Sequence, residues 1–333
     1  MNFSIITCTY NPNLEIFERL VNAVNNLTTD ENTGFEWIIV DNNCTKPIKE
    51  ISFIKEQLDL KPNYKIIEEK KPGLTNARIA GVKASKYGWI IFFDDDNEPG
   101  KDYLMNTSVI IKEYPQVACW GPGNIFVEYI GAKNTNSNIH LQNLKELFQE
   151  RHHGATAFNN NFEYDFAYPC GTGMIISRQI LLEYIRLVIA GKITLNDRTG
   201  KNLTSGGDTQ LVYLTIRLGF FAGHSNLLKL NHLILFEKTK MNKILQLVYM
   251  LNSASIKGYN EIFEIKYIGG SPSNNQVLQA IKRYLTNLLK WKSSRDSLYK
   301  LVQQLGIINA QIIAGNFRKP ILIKLIEKYL LKV

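Results

Sequence analysis

The run Trp89-Ile90-Ile91-Phe92-Phe93-Asp94-Asp95-Asp96-Asn97 constrains the fold more than any other stretch, because a strongly apolar strand here ends in three consecutive charges. Carboxylates clustered in this way repel one another, so they need a cation or raised pKa values. On an extended backbone Asp94 and Asp96 point to one side and Asp95 to the other. That disposition suits a divalent ion with oxygen ligands, bridged to the phosphates of a nucleotide. For the run alone, a solvated acidic turn is the alternative.

The preceding residues narrow the choice. Residues 3–9 (FSIITCT) read as a buried strand, followed by Tyr10-Asn11-Pro12 and then by Leu14, Phe17, Leu20, Val21, Val24 and Leu27 at helical spacing. A second strand, Trp37 to Val40, ends in Asp41-Asn42-Asn43, and a helix-like stretch runs from about Ile48 to Leu58. A short third strand, Tyr64 to Ile67, precedes Lys70-Lys71-Pro72-Gly73, and residues 74–86 form an amphipathic stretch carrying Arg78. Strands alternating with helices predict an α/β protein with a mostly parallel, doubly wound sheet. Ligands of such sheets bind beyond the carboxyl ends of the strands, where Thr9, Tyr10, Asp41 and Asp94 to Asp96 all fall.

The ordered segments SIITCTYNP (4–12), WIIVDN (37–42), KPGLTNARIAG (71–81), FFDDDN (92–97), CGTGMIISR (170–178) and SGGDTQL (205–211) resemble those of a family 2 inverting glycosyltransferase. The resemblance covers roughly 230 residues and implies a GT-A, Rossmann-like nucleotide-sugar domain with flanking helices. It implies roles for single residues as well. Tyr10 stacks on the nucleotide base with Thr9 beside it, Asp41 accepts a hydrogen bond from the base, usually uracil, and Arg78 also reaches the nucleotide. Uracil offers an N–H to a carboxylate and a carbonyl to a guanidinium, so the chemistry is consistent.

By the same resemblance, Asp94 and Asp95 serve the ribose side and Asp96 holds Mn²⁺ or Mg²⁺, which offsets charge on the departing diphosphate. Asn97 stands where the family often has a further acidic residue. The family's Glu-Asp pair reads Gly207-Asp208 here, so Asp208 is the implied catalytic base and the glutamate is missing. Capping of the following helix is the simpler role for Asp208. His232, in Leu228 to Ile234, matches a family histidine that completes the metal shell, while a packed core histidine is the alternative.

Composition sets further bounds. The 333 residues are 45% apolar and 21% charged, enough for one large core and an appendage. No signal peptide is expected, and no apolar run approaches the ~20 residues of a membrane-spanning helix. Cys8, Cys44, Cys119 and Cys170 lack paired metal spacing and read as packing residues in a reducing cytoplasm. The formal charge of +9 is uneven: Ser271 to Val333 hold 11 Lys and Arg against two acidic residues, and the other 270 residues hold 28 of each sign.

The expected organisation is therefore a catalytic domain over 1–240, with a nucleotide-sugar half at about 1–100 and an acceptor half at about 115–240. A basic helical C-terminal extension follows over 241–333, with helices at Val277 to Trp291, Leu298 to Ile313 and Ile321 to Leu331. Lys282, Arg283, Lys290 and Lys292 accompany Ile281, Tyr284, Leu285, Leu288 and Leu289, a face suited either to an anionic membrane surface or to packing with a solvated basic side. Gly131 to Tyr168 is polar and asparagine-rich and reads as a loop region, with His152-His153 at the surface.

The expected activity is metal-dependent, inverting transfer of a sugar, a hexosyl group, from a UDP-sugar to a glycan or lipid-linked hydroxyl in polysaccharide synthesis. Nucleic acid is not an expected partner. A non-catalytic nucleotide or carbohydrate binder on the same scaffold is the alternative. A dinucleotide oxidoreductase is excluded because Tyr10-Asn11-Pro12-Asn13 stands where a Gly-x-Gly-x-x-Gly turn would follow the first strand.

Overall fold

The computed structural model describes residues 1–58, 63–132, 139–195, 206–289 and 293–332. The chain forms two compact units, Met1–Ala190 with Leu211–Phe236, and Gly191–Gln210 with Glu237–Val333.

The first unit is built on one sheet of ten strands. They are β1 (Asn2–Thr9), β2 (Gly34–Asp41), β3 (Tyr64–Glu68), β4 (Trp89–Phe92), β5 (Asn97–Pro99), β6 (Val117–Ile130), β7 (Arg151–His152), β8 (Ala157–Asn159), β9 (Ile175–Ser177) and β10 (Phe221–Leu235). The order is β3-β2-β1-β4-β9-β6-β10-β5, with β7 beside β6 and β8 beside β10. Strands β3, β2, β1 and β4 are parallel, as are the long partners β6 and β10, while β5, β7, β8 and β9 pair antiparallel. The expected α/β architecture with a mostly parallel sheet is present.

Helices α1 (Leu14–Asn25), α2 (Ser52–Leu58), α3 (Leu74–Ala84), α4 (Tyr103–Glu113), α5 (Ile139–Leu144), α6 (Arg178–Ile189) and α7 (Gly207–Arg217) follow in chain order. Their faces are written in the sequence. In α1 the Asn13 side chain accepts the Ile16 N–H at 3.1 Å, and Ile16, Phe17, Leu20, Val21 and Val24 are buried at three- and four-residue spacing. Helix α3 lies close on the sheet because Gly81 has no Cβ; one there would stand 2.6 Å from Ile6 Cγ2. Arg19 on α1 holds Glu98 through both oxygens at 2.6 and 3.0 Å and also reaches Glu128, tying the helix to β5 and β6. The region 131–168, read from sequence as loop, carries α5, β7 and β8. These are too short for periodicity to reveal; β7 and β8 are fixed by pairing with the long strands.

The second unit is helical, with α8 (Met241–Ser253), α9 (Ser255–Phe263), α10 (Asn274–Leu289), α11 (Ser294–Ala314) and α12 (Ile321–Ile326), which runs on as a wider turn, Glu327–Leu331. Its own core gathers Leu245, Tyr249, Val277, Val302, Leu305 and Ile323. Helices α8 and α11 approach closely at Gly306, where a Cβ would meet the Tyr249 carbonyl at 2.7 Å. The basic face read from α10 is divided in the structure. Val277 and Ala280 are buried, Ile281 and Tyr284 pack partly against the core, and Leu278, Leu285 and Leu289 stay exposed. Lys290, Trp291 and Lys292 lie outside the described residues. Among the described residues no helix is long and apolar enough to cross a membrane.

Candidate functional site

The parallel register of the first four strands brings the polar carboxyl ends together. Thr9 is level with Asp41, and Asp41 with Glu68. Tyr10, one residue past β1, is 62% exposed, so its ring is open to stacking. Asp41 is buried, and each oxygen accepts a backbone N–H, from Cys44 at 2.8 Å and from Ile48 at 2.9 Å. Its carboxylate therefore shapes the loop after β2. Cys44 continues that loop towards β1: its Sγ accepts the Asn11 N–H at 3.1 Å, and Asn11 Oδ1 accepts the Thr45 N–H at 2.8 Å.

Asn42 was not singled out in the sequence, yet it fixes a third loop. Its amide donates to the carbonyls of Glu69 and Lys71 at 3.0 and 2.9 Å, and its Oδ1 accepts the Gly73 N–H at 2.8 Å. Gly73 has φ +122° and starts α3, which carries Arg78. The Arg78 guanidinium lies over the Phe92 ring, 5.4 Å from its centroid. Desolvation pushes the Cys8 thiol up to about 12; Arg78 opposes this and Asp94 and Asp95 add to it, so all three charges converge on the end of β1.

The aspartate run departs from the extended geometry read in the sequence. Strand β4 ends at Phe92, and residues 94–97 close a turn in which the Asn97 N–H bonds the Asp94 carbonyl at 3.0 Å. Strict alternation of the three side chains is thereby overturned. Asn97 is the cause: fully buried, it accepts the Asp94 N–H through Oδ1 at 3.2 Å and donates to Asp96 Oδ1 at 3.2 Å. A carboxylate at 97 could accept but not donate, so the amide is what lets this turn bind itself to Asp96.

Within the turn the acids divide. Thr9 Oγ1 donates to Asp95 Oδ2 at 2.5 Å, linking β1 to the turn. Asp96 Oδ1 lies 3.4 Å from His232 Nε2. His232 is on β10, paired with Asn97 across to β5, and is buried. Its Nδ1 lies 2.8 Å from the Phe148 carbonyl, which can only accept a hydrogen bond, so the ring is held with Nε2 turned toward Asp96. Asp96 and His232, 136 residues apart, are brought together.

The segment CGTG flanks the same turn. The Phe92 N–H bonds the Met174 carbonyl at 2.8 Å, and Tyr103 Oη donates to the Gly173 carbonyl at 2.6 Å. Gly173 has φ +69°, and a Cβ there would strike Leu230 and Tyr103, so glycine is required. Of the histidine pair, His152 is exposed as read, whereas His153 is stacked on buried His224 with ring centroids 3.9 Å apart. Burial, and then the charge of His153, push His224 down to about 4.

Asp208 belongs to the second unit, in the first turn of α7, where its Oδ1 accepts the Thr209 N–H at 2.9 Å. Two residues on, fully buried Gln210 donates to Glu261 Oε2 at 3.0 Å. Glu261, on α9, also accepts from Thr194 N and Oγ1 and from Leu195 N, at 2.7 to 3.2 Å. A lone glutamate on an amphipathic helix carries no sequence signal for such a hub. None of the four cysteines forms a disulfide, and Cys119 and Cys170 are buried.

Among the described residues no group of three or more His, Cys, Asp or Glu could hold a metal ion. One carboxylate and one oriented imidazole nevertheless match a cation that takes few protein ligands and completes its shell with phosphate and water.

The sheet order and the loops gathered at its strand ends define an α/β protein with a ligand site open at the carboxyl ends of its parallel strands. The profile described as "Glycosyl transferase family 2" matches residues 4–185, and the chain belongs to that family. Among solved structures, the crystal structure of S. aureus TarS 1–349 aligns over 92% of this chain and 83% of its own at 14% identity, TM-score 0.45. The same fragment in complex with UDP aligns over 92% and 90% at 14% identity, TM-score 0.46. In complex with UDP-GlcNAc it aligns over 95% and 93% at 12% identity, TM-score 0.44. No curated protein matches the chain.

Proposed function

We propose that this glycosyltransferase moves a hexosyl group from a UDP-sugar to a hydroxyl of a glycan or lipid-linked acceptor, with inversion at the anomeric carbon. The catalytic domain spans residues 1–240, and the basic helices of 241–333 keep it at the inner face of a membrane. The observation that carries the reading is the approach of Asp96 to His232, with the histidine oriented by the Phe148 carbonyl, in the turn that Thr9 joins to β1.

In this reading Tyr10 stacks on the base. Asp41 keeps a lone pair on each oxygen beyond the N–H it already accepts, and takes the uracil N–H. Arg78 also reaches the nucleotide, and Asp94 and Asp95 take the ribose side. Asp96 and His232 would hold Mn²⁺ or Mg²⁺, the imidazole favouring Mn²⁺. The ion, when bound, offsets negative charge on the diphosphate. Asp208 removes the acceptor proton as its oxygen attacks.

Calorimetry of UDP with and without EDTA tests the metal assignment. Asp96→Asn should weaken metal-dependent UDP binding and abolish transfer; affinity unchanged by EDTA overturns it. Asp208→Asn should keep donor binding and lower kcat by ~10²-fold or more. Near-normal turnover, or a product with the donor's anomeric configuration, rejects that mechanism.

A further inference from the structure

We infer that the outward faces of α10 and α12 form a docking surface for an anionic lipid bilayer, with leucines entering the headgroup boundary and Lys and Arg lying on the lipid phosphates. The inference rests on the proposal of membrane attachment and names the surface responsible.

Helix α10 carries two apolar stripes. One, Val277, Ala280, Ile281 and Tyr284, packs into the core of its unit. The other, Leu278, Leu285 and Leu289, is 51%, 51% and 81% exposed. With Lys282 these residues follow i, i+4, i+7, i+11 spacing, which places them along a single line of the helix. A helix that has already buried one stripe has no folding reason to keep a second line of leucines. Helix α12 repeats the combination, with Ile321, Leu325 and Tyr329 exposed among exposed Lys324 and Lys328. The two helices are neighbours: Asn274 at the start of α10 accepts the Leu322 N–H of α12 at 3.2 Å.

Charge selects the occupant. Helix α10 contains no acidic residue, and from Ile265 to Lys332 the only ones are Asp296 and Glu327. Glu327 is turned inward, accepting from Tyr249 Oη at 2.8 Å and Lys319 Nζ at 2.5 Å. Within this stretch basic residues far outnumber acidic ones, and none of the exposed Lys282, Arg283, Lys324 and Lys328 has an acidic neighbour on its own helix other than the inward-turned Glu327. A second copy of this chain would set like charge against like across a two-fold contact. A nucleic acid would meet the lysines and leave the leucines in water. An anionic bilayer satisfies both, since leucine stems enter the acyl boundary while Lys and Arg stay with the phosphates.

Flotation of the full chain with phosphatidylcholine vesicles, with or without about one-third phosphatidylglycerol, tests this. The protein should float only with the anionic vesicles. The combined variant Lys282→Gln, Arg283→Gln, Lys324→Gln should lose ~10²-fold in partitioning, about fivefold per charge. The variant Leu278→Ser, Leu285→Ser, Leu289→Ser should lose ~10-fold or more, with UDP affinity and thermal midpoint unchanged because those side chains are outside the core. Wild-type partitioning by the leucine variant overturns the assigned surface while leaving membrane attachment in place. Failure of the wild-type chain to float overturns both. A concentration-dependent dimer in light scattering that the leucine variant abolishes would assign the stripe to a second copy and overturn the lipid surface.

Discussion

At the strand ends of the sheet unit, charged groups are buried or half-buried and individually held: Asp41 takes two backbone N–H groups, and Asp95 and Asp96 are bonded to Thr9 and Asn97. On the helical unit, Lys282, Arg283, Lys324 and Lys328 stand at the surface with apolar neighbours. The two regions use charge in opposite ways. A buried carboxylate acts through one geometry, because in a poorly solvated setting a missing partner is costly. An exposed basic surface acts through its sum, which tolerates the loss of any one member. Glu261 shows that the helical unit also has one point of the first kind, next to the turn that presents Asp208.

This contrast is open to measurement. The largest effect is expected from Asp41→Ala, which orphans the N–H groups of Cys44 and Ile48 and should cost about 3–4 kcal/mol in denaturant unfolding along with UDP affinity. A loss below about 1 kcal/mol would show that water replaces the carboxylate and that the site is not held as described. Glu261→Ala should cost about 2–3 kcal/mol, and Glu261→Gln, which keeps one acceptor oxygen, should recover part of it. Equal losses for the two variants would mean that charge rather than acceptor geometry makes the hub.

Acid should next separate the regions. Unfolded His224 binds a proton near pH 6.5, whereas the folded residue resists until about 4. The unfolded state therefore takes up more protons as pH falls, and stability drops through that window, by about 2 kcal/mol at pH 5 relative to pH 8. His224→Gln should flatten that part of the profile; an unchanged profile would place the acid sensitivity elsewhere. The smallest effect is expected from Lys282→Gln, with no measurable change in thermal midpoint and only about a fivefold loss on anionic vesicles. A drop in midpoint would show that this charge, too, is individually held.

Much of this division was legible in the chain. Strands β1, β2 and β4 are rich in apolar residues and lead into polar ones, and α1 shows its buried face by spacing. The three tail helices appeared at nearly their observed limits. What failed to appear were features depending on distant partners. The aspartate run reads as an extended strand end, but Asn97 folds it into a turn. The α10 leucines read as one face with Tyr284, but packing takes one stripe and leaves the other. Asn42 and Glu261 look like ordinary polar residues, and only their partners across 27 to 67 positions reveal them as clamps.

By itself the sequence determined the α/β alternation, the polar strand ends, the charge asymmetry of +9 in the last 63 residues and the ordered motifs of the family. These follow from local periodicity and composition, which need no knowledge of what lies opposite. Tertiary structure alone decided that His232 faces Asp96, that His153 stacks on His224, and that Asp41 is enclosed by its own loop. Each depends on the sheet placing residues side by side that are distant in the chain, and hydrogen bonds act over about 3 Å of space, whatever the separation in sequence.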